Sequence, residues 1–313
     1  MSHETAHKAA MRWGIAPETL SLAARRENAV YRADTPDGPR ALRLHRPGYR
    51  SQAQLRSEMQ WMEALAQGGL NVPLPHPSTD GHLIELIGDT PVSVLSWMPG
   101  TQAGKLGDLD VPDRLRFAQD LGRTMARLHD LSDAWAKPAD FIRPHWDLHG
   151  LLGDAPLWGP FWDNPDLTPA QADTLRQVRR LAYSQLAAQQ SDLDYGLIHA
   201  DILTENVLAQ AGALSLIDFD DGGWGFRDFE IATFLMRFLA APDYEDLRDA
   251  VLKGYAVRRV ISLESLEFFI MIRALTYPGW IIPRRQEPGG AARSRVAVDT
   301  ALPLAERYLA AHR

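Results

Sequence analysis

Two short apolar stretches, each broken by acidic or amide side chains, most constrain what this chain can fold into. The first, LIHADILTENVL, carries Asp201 and Asn206, and the second, LSLIDFDDGGWG, ends its apolar run at Asp218. Both are typical of buried strands that end in loops, and a hairpin would bring the three polar side chains to one edge. Burying such side chains unpaired costs free energy. The pattern therefore indicates either a polar turn that satisfies its own backbone or a catalytic loop.

The composition of the chain narrows the classes of protein to which it can belong. Its 313 residues suffice for two lobes, and 45% apolar with 23% charged residues exclude a disordered or fibrous protein. The net charge of −7 argues against nucleic acid as the main partner. The absence of cysteine excludes disulfides, cysteine-ligated metals and a thiol nucleophile. No segment has the apolar length of a signal peptide or a membrane span, which predicts a cytoplasmic protein without a membrane partner.

The first hundred residues predict a small antiparallel sheet with one helix. Alternating apolar residues predict a meander of strands over 20–46 and two further strands near 82–98. Helical spacing predicts a helix over 51–67. The rest of the chain is mainly helical in pattern. A stretch dense in Trp, Pro and Gly, at 132–167, interrupts that pattern, and Thr168 is expected to cap the helix that follows. The chain is therefore predicted to be α+β.

The spacing within the two apolar stretches matches the catalytic elements of kinases. In His199-x-Asp201-x4-Asn206 the aspartate stands where a kinase has its catalytic base, and the asparagine where it has a metal ligand. Asp218 stands where the metal-binding aspartate of a kinase follows. Carboxylate and amide oxygens suit Mg²⁺, a hard cation that also binds phosphates and water. The sequence thus predicts an ATP- and Mg²⁺-dependent phosphotransferase that acts on a hydroxyl group.

The chain resembles the aminoglycoside phosphotransferase and choline kinase-like family, which shares the protein-kinase fold. LIHADILTENVL and LIDFDDGGWGFRDFEIATFL are similar to the two signature segments of that family. ALRLHRPGYRS and DFDD are similar to its branch of homoserine kinase-like enzymes and a bacterial stress-response kinase. The resemblance, which covers nearly the whole chain, implies that Asp201 is the general base and that Asn206 and Asp218 hold Mg²⁺. It also implies that His199 supports the catalytic loop and that Asp228 anchors it from the following helix.

The implied nucleotide site departs from the kinase pattern at one position. Where kinases carry Ala-x-Lys this chain has ALR, so that Arg43 would contact the phosphates of ATP and pair with Glu58 of the next helix. The alternative is an arginine on the solvated face of a strand. The loop RRENAV lacks the glycines of a kinase phosphate loop, and Asn28 with backbone amides would take their place. Trp97 and Met98, in SWM, would form the hinge that contacts adenine.

By the same resemblance, the fold is α+β and bilobal, with a small antiparallel-sheet lobe and a larger helical lobe. The nucleotide-binding lobe is predicted to span residues 1–97, and the catalytic and acceptor-binding lobe to span residues 98–313. ATP and Mg²⁺ are the implied cofactors.

The acceptor is predicted to be a small molecule. Only nine residues separate Asp218 from Asp228, which leaves little chain for the long activation segment that holds a peptide in protein kinases. Asp220, Asp221 and nearby aromatic rings would favour an acceptor that bears an amine. The aromatic candidates are Trp146, Trp158, Trp162, Trp224 and Trp280. The alternative functions are a protein Ser/Thr kinase and a nucleotide-binding pseudokinase. Separately, the His and Asp residues of HWDLH, at 145–149, have spacings that would suit a zinc ion.

Overall fold

The computed structural model describes residues 3–25, 28–105 and 108–312 of the chain. The chain divides into two compact units. The first unit comprises Met1–Lys105, Asp130–Arg143 and Thr204–Asp220, and the second comprises Leu106–His129, Pro144–Leu203 and Asp221–Arg313. Each unit is assembled from separate stretches of chain, whereas the lobes expected from the sequence are continuous. The boundary between the expected lobes, at residues 97 and 98, stays a prediction.

The described part of the chain contains nine α-helices. They are α1 (His3–Arg12), α2 (Gln52–Gln67), α3 (Arg114–Ala134), α4 (Leu148–Leu152), α5 (Pro169–Gln189), α6 (Arg227–Leu235), α7 (Tyr244–Tyr255), α8 (Leu263–Trp280) and α9 (Gly290–Ala311). Helices α2 and α5 begin at capping boxes, in which Ser51 and Thr168 accept a hydrogen bond from the amide three residues on. The predicted cap at Thr168 is therefore confirmed. Among the described residues, no helix combines the length and the apolar character that crossing a membrane requires.

Twelve strands lie in the described residues, and they form three sheets. They are β1 (Leu20–Arg25), β2 (Ala29–Thr35), β3 (Gly38–Leu44), β4 (Pro75–His76), β5 (Glu85–Ile87), β6 (Thr90–Ser96), β7 (Thr101–Gln102), β8 (His145–Trp146), β9 (Tyr195–Ile198), β10 (Val207–Gln210), β11 (Ala213–Leu216) and β12 (Gly223–Phe226).

The largest sheet belongs to the first unit and is antiparallel in every pair. Its order is β1-β2-β3-β6-β4, and β5 also pairs with β6. The meander predicted from the sequence is β1 to β3. Strand alternation places Leu42 and Leu44 on the face that packs against the small residues Ala6 and Ala9 of α1. Arg43 lies on the opposite face, and this places its guanidinium toward α2.

Two smaller sheets carry the segments around the polar loops. In the first unit, β10 pairs with β11 in a hairpin and with β7 on its other side. In the second unit, β12 lies between β8 and β9, parallel to β8 and antiparallel to β9. Helix α6 follows β12 directly and packs against α8, which is apolar on nearly all sides and lies in the interior of the second unit.

Helices α3 and α7 approach each other closely at two glycines. A Cβ added to Gly254 would lie 1.9 Å from the carbonyl oxygen of Gln119, and one added to Gly122 would lie 2.1 Å from that of Val251. Both obstacles are backbone atoms, so the helices must separate to accept a methyl group. We expect Gly254→Ala to lower the free energy of unfolding by about 1–3 kcal/mol in denaturant titrations. Exposed Lys253→Ala should change it by less than about 0.5 kcal/mol, and unchanged stability of Gly254→Ala would contradict the close contact.

Candidate active site

The hairpin β10–β11 brings two of the predicted site residues to one of its ends. Val207 pairs with Leu216, and the carbonyl oxygen of Asn206 accepts a hydrogen bond from the amide of Ile217 at 3.0 Å. Asn206 and Asp218 therefore flank the last pair of the hairpin. Asn206 is buried, whereas the side chain of Asp218 is 51% exposed. Asp218 has a φ of +67°, a left-handed conformation that is uncommon outside glycine and that turns the chain sharply after the strand.

Arg43 is buried on β3 and shared by three carboxylates of the first unit. Its Nη1 donates to Glu58 Oε1 at 2.8 Å, and its Nη2 lies 3.0 Å from Asp218 Oδ1 and 3.1 Å from Asp220 Oδ1. Burial alone would lower the pKa of Arg43, but the charges of Asp220 and Glu58 raise it. Arg43 is only 5% exposed, which excludes the alternative of a solvated strand arginine. The guanidinium joins α2 to the end of the β10–β11 hairpin.

A second arginine, Arg143, completes this network, and the sequence patterns did not indicate it. Its Nη1 donates to Glu58 Oε2 at 3.3 Å, and its Nη2 donates to the carbonyl oxygens of Phe219 and Asp220, both at 2.8 Å. Burial raises the pKa of Glu58, while the charges of Arg43 and Arg143 oppose that shift. Glu58 is thus held between two buried arginines, which fixes the orientation of Arg43.

Asp220 is engaged within the first unit. Besides Arg43, Asp220 accepts a hydrogen bond from Asn28 Nδ2 at 2.9 Å. Burial favours a raised pKa for Asp220, but the charges of Arg43, His45 and Arg143 and the hydrogen bond from Asn28 together outweigh it and lower the pKa to about 2. Asn28 Oδ1 accepts a hydrogen bond from the amide of Arg46 at 3.0 Å. The two residues before Asn28 in the loop RRENAV, Arg26 and Glu27, lie outside the described residues, so the expected phosphate contacts of this loop stay a prediction.

The expected hinge residues follow the end of β6. The amide of Trp97 donates to the carbonyl oxygen of Pro39 at 3.2 Å, and the Arg32 guanidinium lies 5.3 Å from the centre of a Trp97 ring. Met98 Sδ accepts a hydrogen bond from Ser96 Oγ at 3.8 Å. Both side chains are partly exposed. Their contact with adenine stays a prediction.

The loop that carries Asp201 is held by a buried carboxylate of α6. Glu230 accepts hydrogen bonds from the amides of His199 and Ala200, each at 2.7 Å, and His199 Nδ1 lies 3.3 Å from the amide of Asp201. His199 thus supports the loop, as expected. The anchor seen on the helix is Glu230, and an anchoring role of Asp228, two residues earlier, stays a prediction. Burial raises the pKa of Glu230 to about 7, and the two amides oppose the shift.

The side chain of Asp201 contacts an arginine that the sequence patterns did not indicate. Arg273, on α8, donates from Nη2 to Asp201 Oδ1 at 3.3 Å. The Asp201 side chain is 21% exposed, whereas that of Arg273 is 0% exposed. A lone arginine within the apolar segment FFIMIRALTY is a signal that could have identified this residue, because a charge in an apolar helix needs a buried partner.

The tryptophans named as acceptor candidates are mainly core residues or platforms for arginines of the chain itself. Trp146, Trp158 and Trp162 are buried. Guanidinium groups lie over three of the indole rings at 4.3–4.4 Å from the ring centres; the pairs are Arg273–Trp158, Arg179–Trp162 and Arg284–Trp280. Trp224 is stacked with His145. These contacts are cation–π and stacking interactions that the folded chain makes internally.

The HWDLH segment caps a helix. Asp147 accepts hydrogen bonds from the amides of His149 and Gly150 at the start of α4, and His145 Nδ1 lies 3.0 Å from the hydroxyl of Tyr195. In the residues that the structure describes, no group of three or more His, Cys, Asp or Glu side chains is placed to hold a metal ion. The zinc alternative therefore has no support in the geometry.

Known proteins resemble this chain along most of its length. Residues 19–269 match the sequence model of the phosphotransferase enzyme family. Amicoumacin kinase of Bacillus subtilis strain 168 is 29% identical over 249 residues, covering 76% of this chain and 69% of that protein. Homoserine kinase of Gluconobacter oxydans strain 621H is 29% identical over 218 residues, covering 66% of this chain and 63% of that protein.

A solved structure extends the likeness to the fold. The structure of a microcompartment-associated aminopropanol kinase matches with a TM-score of 0.85 at 28% sequence identity, covering 99% of this chain and 98% of its own. The predicted fold class, α+β and protein-kinase-like with an antiparallel sheet and a larger helical part, is confirmed.

Proposed function

The chain belongs to the phosphotransferase enzyme family and is an ATP-dependent kinase of small-molecule hydroxyl groups, and from that premise we propose that its acceptor bears an amine. The observation that carries this proposal is the match to an aminopropanol kinase along 99% of the chain, because aminopropanol bears an amine beside its hydroxyl. Homoserine, after which another relative is named, also bears both groups. The proposed acceptor is therefore an amino alcohol or a related amine-bearing metabolite. The proposed location of the enzyme is the cytoplasm.

Carboxylate charge near the site would favour an amine on the acceptor. Asp220 is engaged by Arg43 and Asn28 in the first unit. Asp221 belongs to the second unit, as Asp201 does, and its backbone oxygen accepts a hydrogen bond from Trp146 Nε1. We propose that the carboxylate of Asp221 contributes negative charge that favours an amine on the acceptor.

Asp201 is the proposed general base. Its carboxylate takes the proton of the acceptor hydroxyl as that oxygen forms a bond to the γ-phosphorus of ATP, and the bond from that phosphorus to the bridging oxygen of ADP breaks. Glu230 fixes the loop that carries Asp201, and the side chain of Asp201 is partly exposed. The carboxylate of Asp201 is therefore both held in place and reachable by an acceptor.

Asn206 and Asp218 are the proposed ligands of Mg²⁺. Both present oxygen donors at the same end of one hairpin, which is the ligand chemistry that Mg²⁺ prefers. Two protein ligands suffice for a cation that takes the rest of its coordination from phosphates and water. When bound, Mg²⁺ would neutralise charge that develops on the transferred phosphoryl group.

Arg43 is proposed to contact the phosphates of ATP in place of the usual lysine, with Glu58 holding it. Asn28 is the proposed further phosphate contact, and Trp97 and Met98 the proposed contacts of adenine. The support for Arg43 is its position beside Asp218, where its cation is already 3.0 Å from one proposed metal ligand.

Substitution of Arg43 tests this assignment. Arg43→Ala would leave Glu58 and Asp220 buried without their main cation, so we expect the free energy of unfolding to fall by about 3–5 kcal/mol and the KM for ATP to rise. Arg43→Lys keeps the charge but not the planar fork, and it should recover part of both losses. Arg40→Ala, on the same strand, controls for the loss of any strand arginine. Wild-type kinetics and stability in Arg43→Ala would contradict the assignment.

The acceptor class is tested with γ-labelled ATP and matched pairs of acceptors. Aminopropanol would be compared with propanediol, and ethanolamine with ethylene glycol; the second member of each pair carries a hydroxyl in place of the amine. Homoserine and a generic protein substrate would be offered in the same assay. We expect label transfer to at least one amine-bearing acceptor, with kcat/KM at least about tenfold above its amine-free partner, as a formed ion pair would give. Equal transfer to both members of each pair, or transfer to protein alone, would overturn the proposal.

A further inference from the structure

Arg273 is a cation with no exposed surface whose main charged partner is the proposed base. Its Nη2 lies 3.3 Å from Asp201 Oδ1, and both residues belong to the second unit. Removing a guanidinium from water costs free energy that only a well-placed anion and hydrogen bonds offset. The ion pair with Asp201 offsets part of that cost, and it involves the carboxylate that is proposed to accept the proton.

Hydrogen bonds fix the remaining edges of this guanidinium. Arg273 Nε donates to Thr233 Oγ1 at 2.9 Å, and Nη1 donates to Thr276 Oγ1 at 3.0 Å. Nη2 also donates to the hydroxyl of Tyr277 at 3.4 Å. Each of the three nitrogens thus has an acceptor, so rotation of the fork would break several bonds at once.

Aromatic rings flank the same group. The guanidinium carbon lies 4.4 Å from the ring centre of Trp158, 4.6 Å from that of Tyr277 and 5.4 Å from that of Phe229. A planar guanidinium can stack on such rings while its edges make hydrogen bonds, which an ammonium group cannot do. The surroundings of Arg273 are therefore selective for arginine.

The burial of Arg273 excludes direct contact with a substrate. A side chain with no exposed surface cannot touch a phosphate or an acceptor from solvent. Its influence on the reaction must pass through Asp201. A general base needs one carboxylate oxygen to accept the proton, and Arg273 bonds to Oδ1.

We propose that Arg273 is the positioning residue of the base: it fixes Oδ1 of Asp201, so that the carboxylate meets the acceptor hydroxyl in one orientation. This inference rests on the proposed role of Asp201. It goes beyond that role by assigning to a buried helix residue, 72 positions later in the sequence, control over the geometry of the proton transfer.

A double-mutant cycle on turnover tests the inference. Arg273→Met should lower kcat by about 10–100-fold, since a misplaced reacting group costs that much, with the KM for ATP nearly unchanged. Arg273→Lys should lie between Arg273→Met and the wild type. In the Asp201→Asn background, where there is no base left to position, Arg273→Met should cause little further loss of kcat.

Arg284→Met is the matched control for removing a buried, stacked arginine. Arg284 lies 4.3 Å from the ring centre of Trp280 and donates to the carbonyl oxygen of that residue at 2.8 Å. The variant Arg284→Met should lower Tm, as Arg273→Met should. Any effect of Arg284→Met on kcat should be the same in the wild type and in the Asp201→Asn background. If Arg273→Met does not fold, Arg273→Lys takes its place in the cycle.

Two results separate the possible failures. If the loss caused by the Arg273 variant is as large in the Asp201→Asn background as in the wild type, Arg273 has only a structural role, and the inference is overturned while the base stands. If Asp201→Asn itself retains wild-type kcat, the base assignment fails, and the inference fails with it.

Discussion

Asp201→Asn is expected to lower kcat by about 10²–10⁴-fold, the range that a general base contributes, while the affinity for ATP stays nearly unchanged. An asparagine fills the same space but cannot accept the proton of the acceptor hydroxyl. Because the interaction is made only in the transition state, kcat and kcat/KM should fall together. Steady-state kinetics with varied ATP and varied acceptor give both quantities.

The control for this substitution is Asp192→Asn, the same chemical change at an exposed position before β9. It should behave as the wild type. Wild-type turnover in Asp201→Asn would show that another group takes the proton. A loss of ATP affinity in Asp201→Asn would instead show that the residue serves the nucleotide.

Asp218→Ala is expected to remove nearly all activity, on the order of 10³-fold, because a metal ion at phosphate supplies several kcal/mol of transition-state stabilisation. Unlike Asp201→Asn, it should also weaken nucleotide binding. The wild type should bind ATP more tightly with Mg²⁺ than with EDTA, and the variant should lose that difference. Titration of a fluorescent ATP analogue with and without Mg²⁺ measures it.

Asp89→Ala, in an exposed turn of the same unit, is the control for the loss of an aspartate. A Mg²⁺-dependent affinity that survives in Asp218→Ala would place the metal on other residues. Since Asp218 also contacts Arg43, Asp218→Asn separates the two effects: it keeps the oxygen toward Arg43 and removes one charge from the metal site.

The elements that carry the proposed site could be predicted because their signals are local. The strands, the turns and the spacing of Asp201, Asn206 and Asp218 all lie within one short stretch of sequence. Helix α1 was missed because its buried face consists of alanines, which the helical pattern of large apolar residues does not reveal. Strand β4 was missed because two residues have no period, and only pairing with β6 makes them a strand.

The residues that hold the predicted groups could not be read from spacing, since their partners are distant in sequence. Arg143 reaches Glu58 across 85 positions, and Arg273 reaches Asp201 across 72. Glu230 was not among the predicted residues, because the side of α6 that faces the loop depends on where the helix begins, and residues two apart point to opposite sides of a helix. The boundaries of elements are the part of a sequence pattern that carries least information.

The border between the two compact units falls inside the proposed catalytic loop, with Leu203 as the last residue of one segment and Thr204 as the first of the next. Asp201 is therefore carried by one unit, and Asn206 and Asp218 by the other. For the evolution of the enzyme, this division would allow substitutions around Asp201 in one unit while the contacts of Asn206, Asp218 and Arg43 within the other unit stay the same.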